Sequence, residues 1–186
     1  TITRILEAAA ALRQQGIDVT VLERADRVLK RVTGEHVSQY FEQLHKQHGV
    51  NIQCGVEVTA VNGQNSVESV SCADGTLYPA QLVIVGVGVA PEISLAKSAE
   101  LRIENGICVD EFGQTSHAHI FAAGDCASFP SQRYQRRLRL ESVQNANDQS
   151  RVVAQNIVNS QQGLPLSDVY NALPWFWSDQ FDVKLQ

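Results

Sequence analysis

Thr115-Ser116-His117-Ala118-His119-Ile120-Phe121-Ala122-Ala123-Gly124-Asp125 is the stretch on which the reading of this chain turns. A short apolar run ends in a glycine and then a carboxylate. The pattern predicts a buried strand whose carboxyl end carries Asp125, the place where open α/β sheets take up ligands. Gly124 permits close approach to the backbone, and Asp125 can accept hydrogen bonds from ligand hydroxyls. An ordinary strand followed by a Gly-Asp turn fits the same residues.

Upstream, the pattern alternates between helix and strand. Residues 5–15 carry apolar side chains at helical spacing, with Gly16 as a natural terminator. Residues 17–22 read as a β-branched strand ending in Glu23, and Thr33 as the cap of a second helix reaching about His48. A strand at 50–54 follows, so this order implies βαβ units and a parallel sheet. Residues 57–61, 67–72 and 77–80, separated by Asn62-Gly63 and Asp74-Gly75, read as an antiparallel three-stranded flap. The continuous apolar run Leu82-Val83-Ile84-Val85 predicts a strand buried on both faces. It opens into the glycine-rich exit Gly86-Val87-Gly88.

Downstream, residues 132–140 read as a basic loop carrying Arg133, Arg136, Arg137 and Arg139. Glu141 or Ser142 opens a long helix to about Ser160, stopped by Gly163 and Pro165. The tail from 170 to 186 is aromatic and β-prone.

Composition bounds the function. The chain has 186 residues, 44% apolar and 19% charged, enough for a globular core in one or two domains. No apolar run approaches the ~20 residues needed to span a bilayer, and residues 1–12 lack a secretory signal, so a cytoplasmic location is expected. A net charge of −5 argues against general nucleic-acid binding. Cys54, Cys72, Cys108 and Cys126 are scattered, which favours reduced thiols over a disulfide framework, a zinc site or a redox dithiol. His117 and His119 form an H-x-H pair for which no further metal ligands can be nominated, so no metal is expected.

Four segments in this order carry a family resemblance: 19–23, 83–91, 120–126 with Leu140-Glu141-Ser142-Val143-Gln144-Asn145-Ala146, and Pro174-Trp175-Phe176-Trp177-Ser178-Asp179-Gln180. The chain resembles the NADH-dependent, FAD-containing reductases that feed ferredoxin or rubredoxin in oxygenase and cytochrome P450 systems. Disulfide-active relatives carry a paired-cysteine motif that is missing here. The resemblance implies an α/β class: a partial, doubly wound Rossmann-like NAD domain with an antiparallel three-stranded flap, plus the C-terminal part of an FAD domain. It implies an NAD-binding part at 1–91, an FAD-binding part at 92–165 and the start of an interface domain at 166–186.

The resemblance also assigns roles. The 120–125 stretch is similar to the second flavin-binding motif, in which Asp125 would hold the ribityl chain beside Gly124. The helix opening at Glu141, with Val143 and Gln144 at the flavin ring, would turn its N-terminal N–H groups toward the charge of reduced flavin. Trp177 would stack near the isoalloxazine, toward a docked iron–sulfur protein. Glu23 would hydrogen-bond the adenosine ribose and favour NAD, although Arg24 beside it suits a 2′-phosphate. Glu7 matches a glutamate near the nicotinamide, and Gly86 and Gly88 match glycines facing it. Arg133, Arg136, Arg137 and Arg139 could steer an acidic ferredoxin or rubredoxin, or simply be a solvated loop. Core packing, a tight strand exit or a surface acid would account for each of the other residues as well. The reaction implied is hydride transfer from NADH to the flavin, then single-electron transfer onward, with no side-chain acid, base or nucleophile.

The chain also departs from the family pattern. Register from Glu23 places two of the family's phosphate-loop glycines at Ile2 and Ile5, and the first strand and glycine loop of the NAD part are not found. The expectation is an internal piece of a longer reductase: inactive alone, binding NAD weakly or not at all, and lacking the FAD-adenosine segment. An alternative is a non-catalytic remnant that folds or self-associates without cofactor. Two unpartnered sheet edges would favour a homodimer or strand exchange.

Overall fold

A computed structural model describes residues 2–186, with Ile2 by its backbone alone. It is a mixed α/β protein in two compact units, Thr1–Gly88 with Ser178–Leu185, and Val89–Trp177. The first unit opens with helix α1 (Ile2–Gln14), strand β1 (Thr20–Glu23), helix α2 (Glu35–Gln47) and strand β2 (Asn51–Cys54). β1 and β2 pair in parallel, with Val21 opposite Ile52. Three antiparallel strands follow, β3 (Val58–Asn62), β4 (Ser69–Cys72) and β5 (Leu77–Pro79), in the order expected of the flap.

The core of this unit forms where the helical and strand periodicities meet. Leu6 and Ala9 of α1, Phe41 and Leu44 of α2, and Val21 and Ile52 of the strands bury their apolar faces together with Val28, Leu29 and Val50. Burying each large aliphatic or aromatic side chain contributes about 1.5–3 kcal/mol. Gly49 follows α2 at positive φ, but Thr33 does not cap the helix. Gly34 is the N-cap, and the Thr33 hydroxyl instead donates to the Leu29 carbonyl. The strand expected from residue 17 forms only from Thr20, where pairing with β2 begins.

The second unit holds a short helix α3 (Ser94–Ser98), strands β6 (Ile107–Cys108), β7 (Ala127–Ser131) and β8 (Arg136–Leu138), and the long helix α4 (Val143–Gln161). β6 runs parallel to β7 and β8 antiparallel to it. Val109, Ala127, Phe129 and Tyr170 form its core, and Leu138, Leu140 and Val152 pack against them. Two expectations are corrected here. The apolar run 120–123 makes only a single bridge, Gln114 to Phe121, and Gly124–Cys126 is a 3-10 turn. Asp125 therefore precedes strand β7 rather than ending one. The basic segment is not all loop, because residues 136–138 pair with β7 as an arm of a hairpin.

The largest correction concerns residues 82–85. They form no strand, and Leu82 and Val85 are 67% and 68% exposed. An apolar sequence becomes a strand only where its backbone N–H and C=O groups find a partner. Here β1 pairs only with β2, and nothing among the described residues pairs with 82–85.

The chain's last strands, β9 (Ser178–Gln180) and β10 (Val183–Leu185), form an antiparallel hairpin that belongs to the first unit. Phe181, Val183 and Leu185 pack against its core. The turn residue Phe181 adopts φ 56°, a left-handed conformation unfavourable for a bulky residue. Its ring stacks 3.9 Å from that of His48 and lies edge-on, 5.0 Å away, to His45.

His45 is fully buried, and burial is the main reason its pKa is lowered; the Gln180 amide opposes the shift and neighbouring His48 adds to it. The fold thus holds His45 neutral, whereas the unfolded chain takes up a proton at about pH 6.5. Between that pH and the lower folded-state value the unfolded chain binds more protons, so stability is full above about pH 6.5 and declines as pH falls below it. Urea unfolding followed from pH 7.5 down to pH 5 should show a falling midpoint, and His45→Phe should flatten the slope.

Candidate functional site

The second unit gathers most of its expected site residues around one turn. Gly124 adopts φ 77°, which a side chain would strain, and an added Cβ would lie 3.5 Å from the Ala146 Cβ. Its N–H donates to Gln149 Oε1 at 2.8 Å, pinning the turn to the second turn of α4. The Asp125 carbonyl accepts from Arg139 Nη1 at 2.9 Å, and the same guanidinium nitrogen pairs with the Glu141 carboxylate at 2.8 Å. These two side chains are only 12% and 19% exposed, so this pair is better shielded than an ordinary surface bridge. Asp125 itself is exposed, and its carboxylate makes no hydrogen bond among the described residues.

Glu141 is thus a strut between Arg139 and the start of α4, not a free acid. Ser142 caps α4, its hydroxyl accepting from the Asn145 N–H at 3.2 Å. The first N–H groups of a helix lack intrahelical acceptors, and its dipole favours negative charge there. Val143 is exposed at this end and Gln144 is buried. Gln144 Nε2 donates to Asp148, but Gln144 Oε1 and Gln149 Nε2 are buried without a partner. Buried amide atoms are normally hydrogen-bonded. One free acceptor, one free donor, an exposed carboxylate and a capped helix start suit a ligand that carries both hydroxyls and an anionic, hydrogen-bonding ring.

Several supports escaped the sequence reading: Arg139 as a tie, Gln149, Asn145 and Tyr170. Asn145 is fully buried, donates to the Leu140 carbonyl and accepts from the Tyr170 hydroxyl at 2.8 Å. Burial pushes the Tyr170 phenol up, and the charge of Asp148 adds to this. A signal was available in the spacing of Asn145, Gln149 and Asn156, which repeats polar residues along the buried face of one helix.

The four arginines divide. Arg137 donates to the carbonyls of Val109 and Ser128, and Arg139 is held as described. Arg133 and Arg136 are exposed and form no ion pair among the described residues. Trp177 and Trp175 lie outside any strand, partly exposed, with ring centroids 5.3 Å apart. His117 and His119 lie near each other, but among the described residues no three potential ligands gather for a metal. All four cysteines are free thiols. No described helix is long and apolar enough to cross a membrane.

In the first unit, Glu23 Oε1 accepts from the Ala25 N–H at 2.7 Å at the end of β1. Arg24 turns to Glu57 at 3.4 Å, an exposed pair of little energetic weight. Glu7 Oε1 accepts from the Ser178 hydroxyl at 2.7 Å. Gly86 lies against α1, and an added Cβ would fall 2.1 Å from the Ile5 side chain, so close packing alone requires glycine there. Gly88 adopts φ 102°. The register position at Ile2 falls on a side chain outside those described.

A mixed α/β fold with an anion-favouring helix start beside a glycine turn marks a nucleotide-binding class. Residues 6–150 match the family model described as pyridine nucleotide-disulphide oxidoreductase, and the chain belongs to that family. It is 45% identical over 184 residues to the 5,5'-dehydrodivanillate O-demethylase ferredoxin reductase subunit of Sphingobium sp., covering 97% of this chain and 43% of that one. It is 44% identical to putidaredoxin reductase of Pseudomonas putida, with 97% and 42% covered. The solved covalent complex of putidaredoxin reductase with putidaredoxin superposes with a TM-score of 0.87 at 43% identity, covering 96% of this chain and 42% of that one. The chain therefore spans less than half the length of the relatives it matches.

Gln149→Leu should remove the acceptor of the buried Gly124 N–H while keeping the side chain's size. Leaving that donor unsatisfied costs about 1–3 kcal/mol, to be read as a loss of unfolding free energy in urea.

Proposed function

We propose that this chain is the flavin-ring and nicotinamide portion of an NADH:ferredoxin reductase. The observation that carries the reading is the Gly124–Asp125 turn, tied through Arg139 and Glu141 to the capped start of α4 and flanked by two unpartnered amide atoms. Residues 1–91 would serve NADH, 92–165 FAD, and 166–186 the start of an interface domain.

In this reading FAD, when bound, supplies the conversion of a two-electron donor into single electrons for an iron–sulfur protein. The residues bind and orient. Asp125 accepts from ribityl hydroxyls, with Gly124 allowing close approach. The N–H groups at Val143 and Gln144 face the charge that develops on the ring, and Glu141 holds that helix start in place. Trp177 covers the ring on the side where the partner docks. Glu7 and Gly88 would serve the nicotinamide, and Glu23 the adenosine ribose. NADH is favoured over NADPH because the Glu23 carboxylate would repel a 2′-phosphate. An acidic ferredoxin or rubredoxin would meet Arg133 and Arg136, the two of the four arginines at 133–139 that lie exposed without an ion pair among the described residues.

The test is a chimera in which this chain replaces the matching part of putidaredoxin reductase. The folded product should absorb at about 450 nm, as bound flavin does, and should bleach with NADH. Asp125→Ala should weaken FAD at least about tenfold, the loss of one hydrogen bond to a charged group. A folded but colourless chimera would refute the reading.

A second reading rests on the exposed apolar run 82–89 and the open edge of β1. These suit a non-catalytic module in which the run of one copy pairs with β1 of another. Light scattering of the isolated chain should then show a dimer that Val85→Lys dissolves; a monomer at every concentration would rule it out.

A further inference from the structure

Four polar side chains from three distant stretches of sequence line up inside the first unit. His45 Nε2 lies 2.8 Å from Gln180 Oε1, Gln180 Nε2 lies 3.0 Å from Ser178 Oγ, and Ser178 Oγ lies 2.7 Å from Glu7 Oε1. His45 and Gln180 are 0% exposed and Ser178 is 1% exposed, whereas Glu7 is half-buried.

The donors of this row all point one way. A carboxylate only accepts, so the Ser178 hydroxyl must give its single proton to Glu7. Ser178 then accepts from the Gln180 amide N–H₂. The Gln180 carbonyl is left to accept, and His45 must carry its proton on Nε2. That tautomer leaves Nδ1 as a bare acceptor, and Nδ1 is indeed buried without a partner. Apolar residues could have docked this hairpin without leaving a buried nitrogen unpaired, since a satisfied polar row gains little over hydrophobic packing. The row does what apolar packing cannot, fixing the direction of a carboxylate at its open end.

We infer that Ser178, Gln180 and His45 are positioning residues for the Glu7 carboxylate, holding one oxygen and leaving the other to accept an amide N–H donor such as that of a nicotinamide. The inference rests on the proposed placement of Glu7 at the nicotinamide. It adds that the distant hairpin β9–β10 sets the orientation of that residue. Protonating His45 would leave Nε2–H donating to Gln180 but put a second, unsatisfied N–H into a buried site with no acceptor, so the row is stable only while His45 is neutral. Gln180, His48 and, through Ser178, Glu7 are the polar or titratable groups facing it.

The test uses the whole chain without nucleotide, read by ¹⁵N and ¹H NMR of the His45 ring. The native chain should show the Nε2–H tautomer with a hydrogen-bonded proton resonance. Glu7→Gln, which does not touch His45, should move that resonance upfield, because chained hydrogen bonds polarise one another. Ser178→Ala should abolish the response to Glu7→Gln, and Ser178→Thr should preserve it. An Nδ1–H tautomer, or a His45 resonance indifferent to Glu7→Gln, overturns the inference. If Ser178→Ala does not fold, the Glu7→Gln response and the tautomer decide. Failure here leaves the nicotinamide placement standing. That placement falls separately if Glu7→Gln leaves NADH bleaching of the chimera unchanged.

Discussion

One guanidinium holds the second unit's site together. Arg139 joins the Asp125 carbonyl to the Glu141 carboxylate, linking a turn that exposes a free carboxylate to the residue just before a helix cap. Without this link the turn would be tied to the helix only through the Gly124 N–H and Gln149. Gln149 adds the second point of attachment from inside the helix. Two attachments on opposite sides of a positive-φ glycine define the turn's position and its tilt. A site that must present hydroxyl acceptors and helix N–H groups to one ligand needs both.

The first unit meets a different constraint, the supply of partners for its backbone and its polar side chains. Its flap is complete because each strand has a neighbour. The run 82–85, the most strand-like by composition, stays unpaired and exposed because no strand lies beside it. The terminal hairpin shows the reverse. Phe181 accepts an unfavourable backbone conformation, which its stacking on His48 and burial against the core offset. Its strand carries Ser178 and Gln180 into a buried row ending on Glu7 of α1.

These arrangements also change what single residues mean. Glycine at 86 reads as room for a ligand, yet Ile5 already fills that room. Arginines 137 and 139 read as a docking patch, yet they satisfy carbonyls and a carboxylate within the fold. Glu141 reads as the opening of a helix, and it is also a strut against Arg139. In each case a charged or small residue identified by type alone turns out to serve a neighbour within the fold.

The alternation of helical and strand periods by itself determined the α/β class, the parallel pair, the three-stranded flap and the long capped helix, because periods, turn residues and caps are set within a few residues and the order of the elements then implies the pairing. The segments 19–23, 83–91, 120–126 with 140–146, and 174–180, taken in that order, pointed to the family that the comparisons show. Tertiary structure alone decided that Asp125 precedes its strand and that residues 178–185 join the first unit. It alone left 82–85 unpaired and pinned Gly124 through Gln149. Those outcomes depend on which backbone and polar groups meet across tens of residues, and local periodicity carries no record of such meetings.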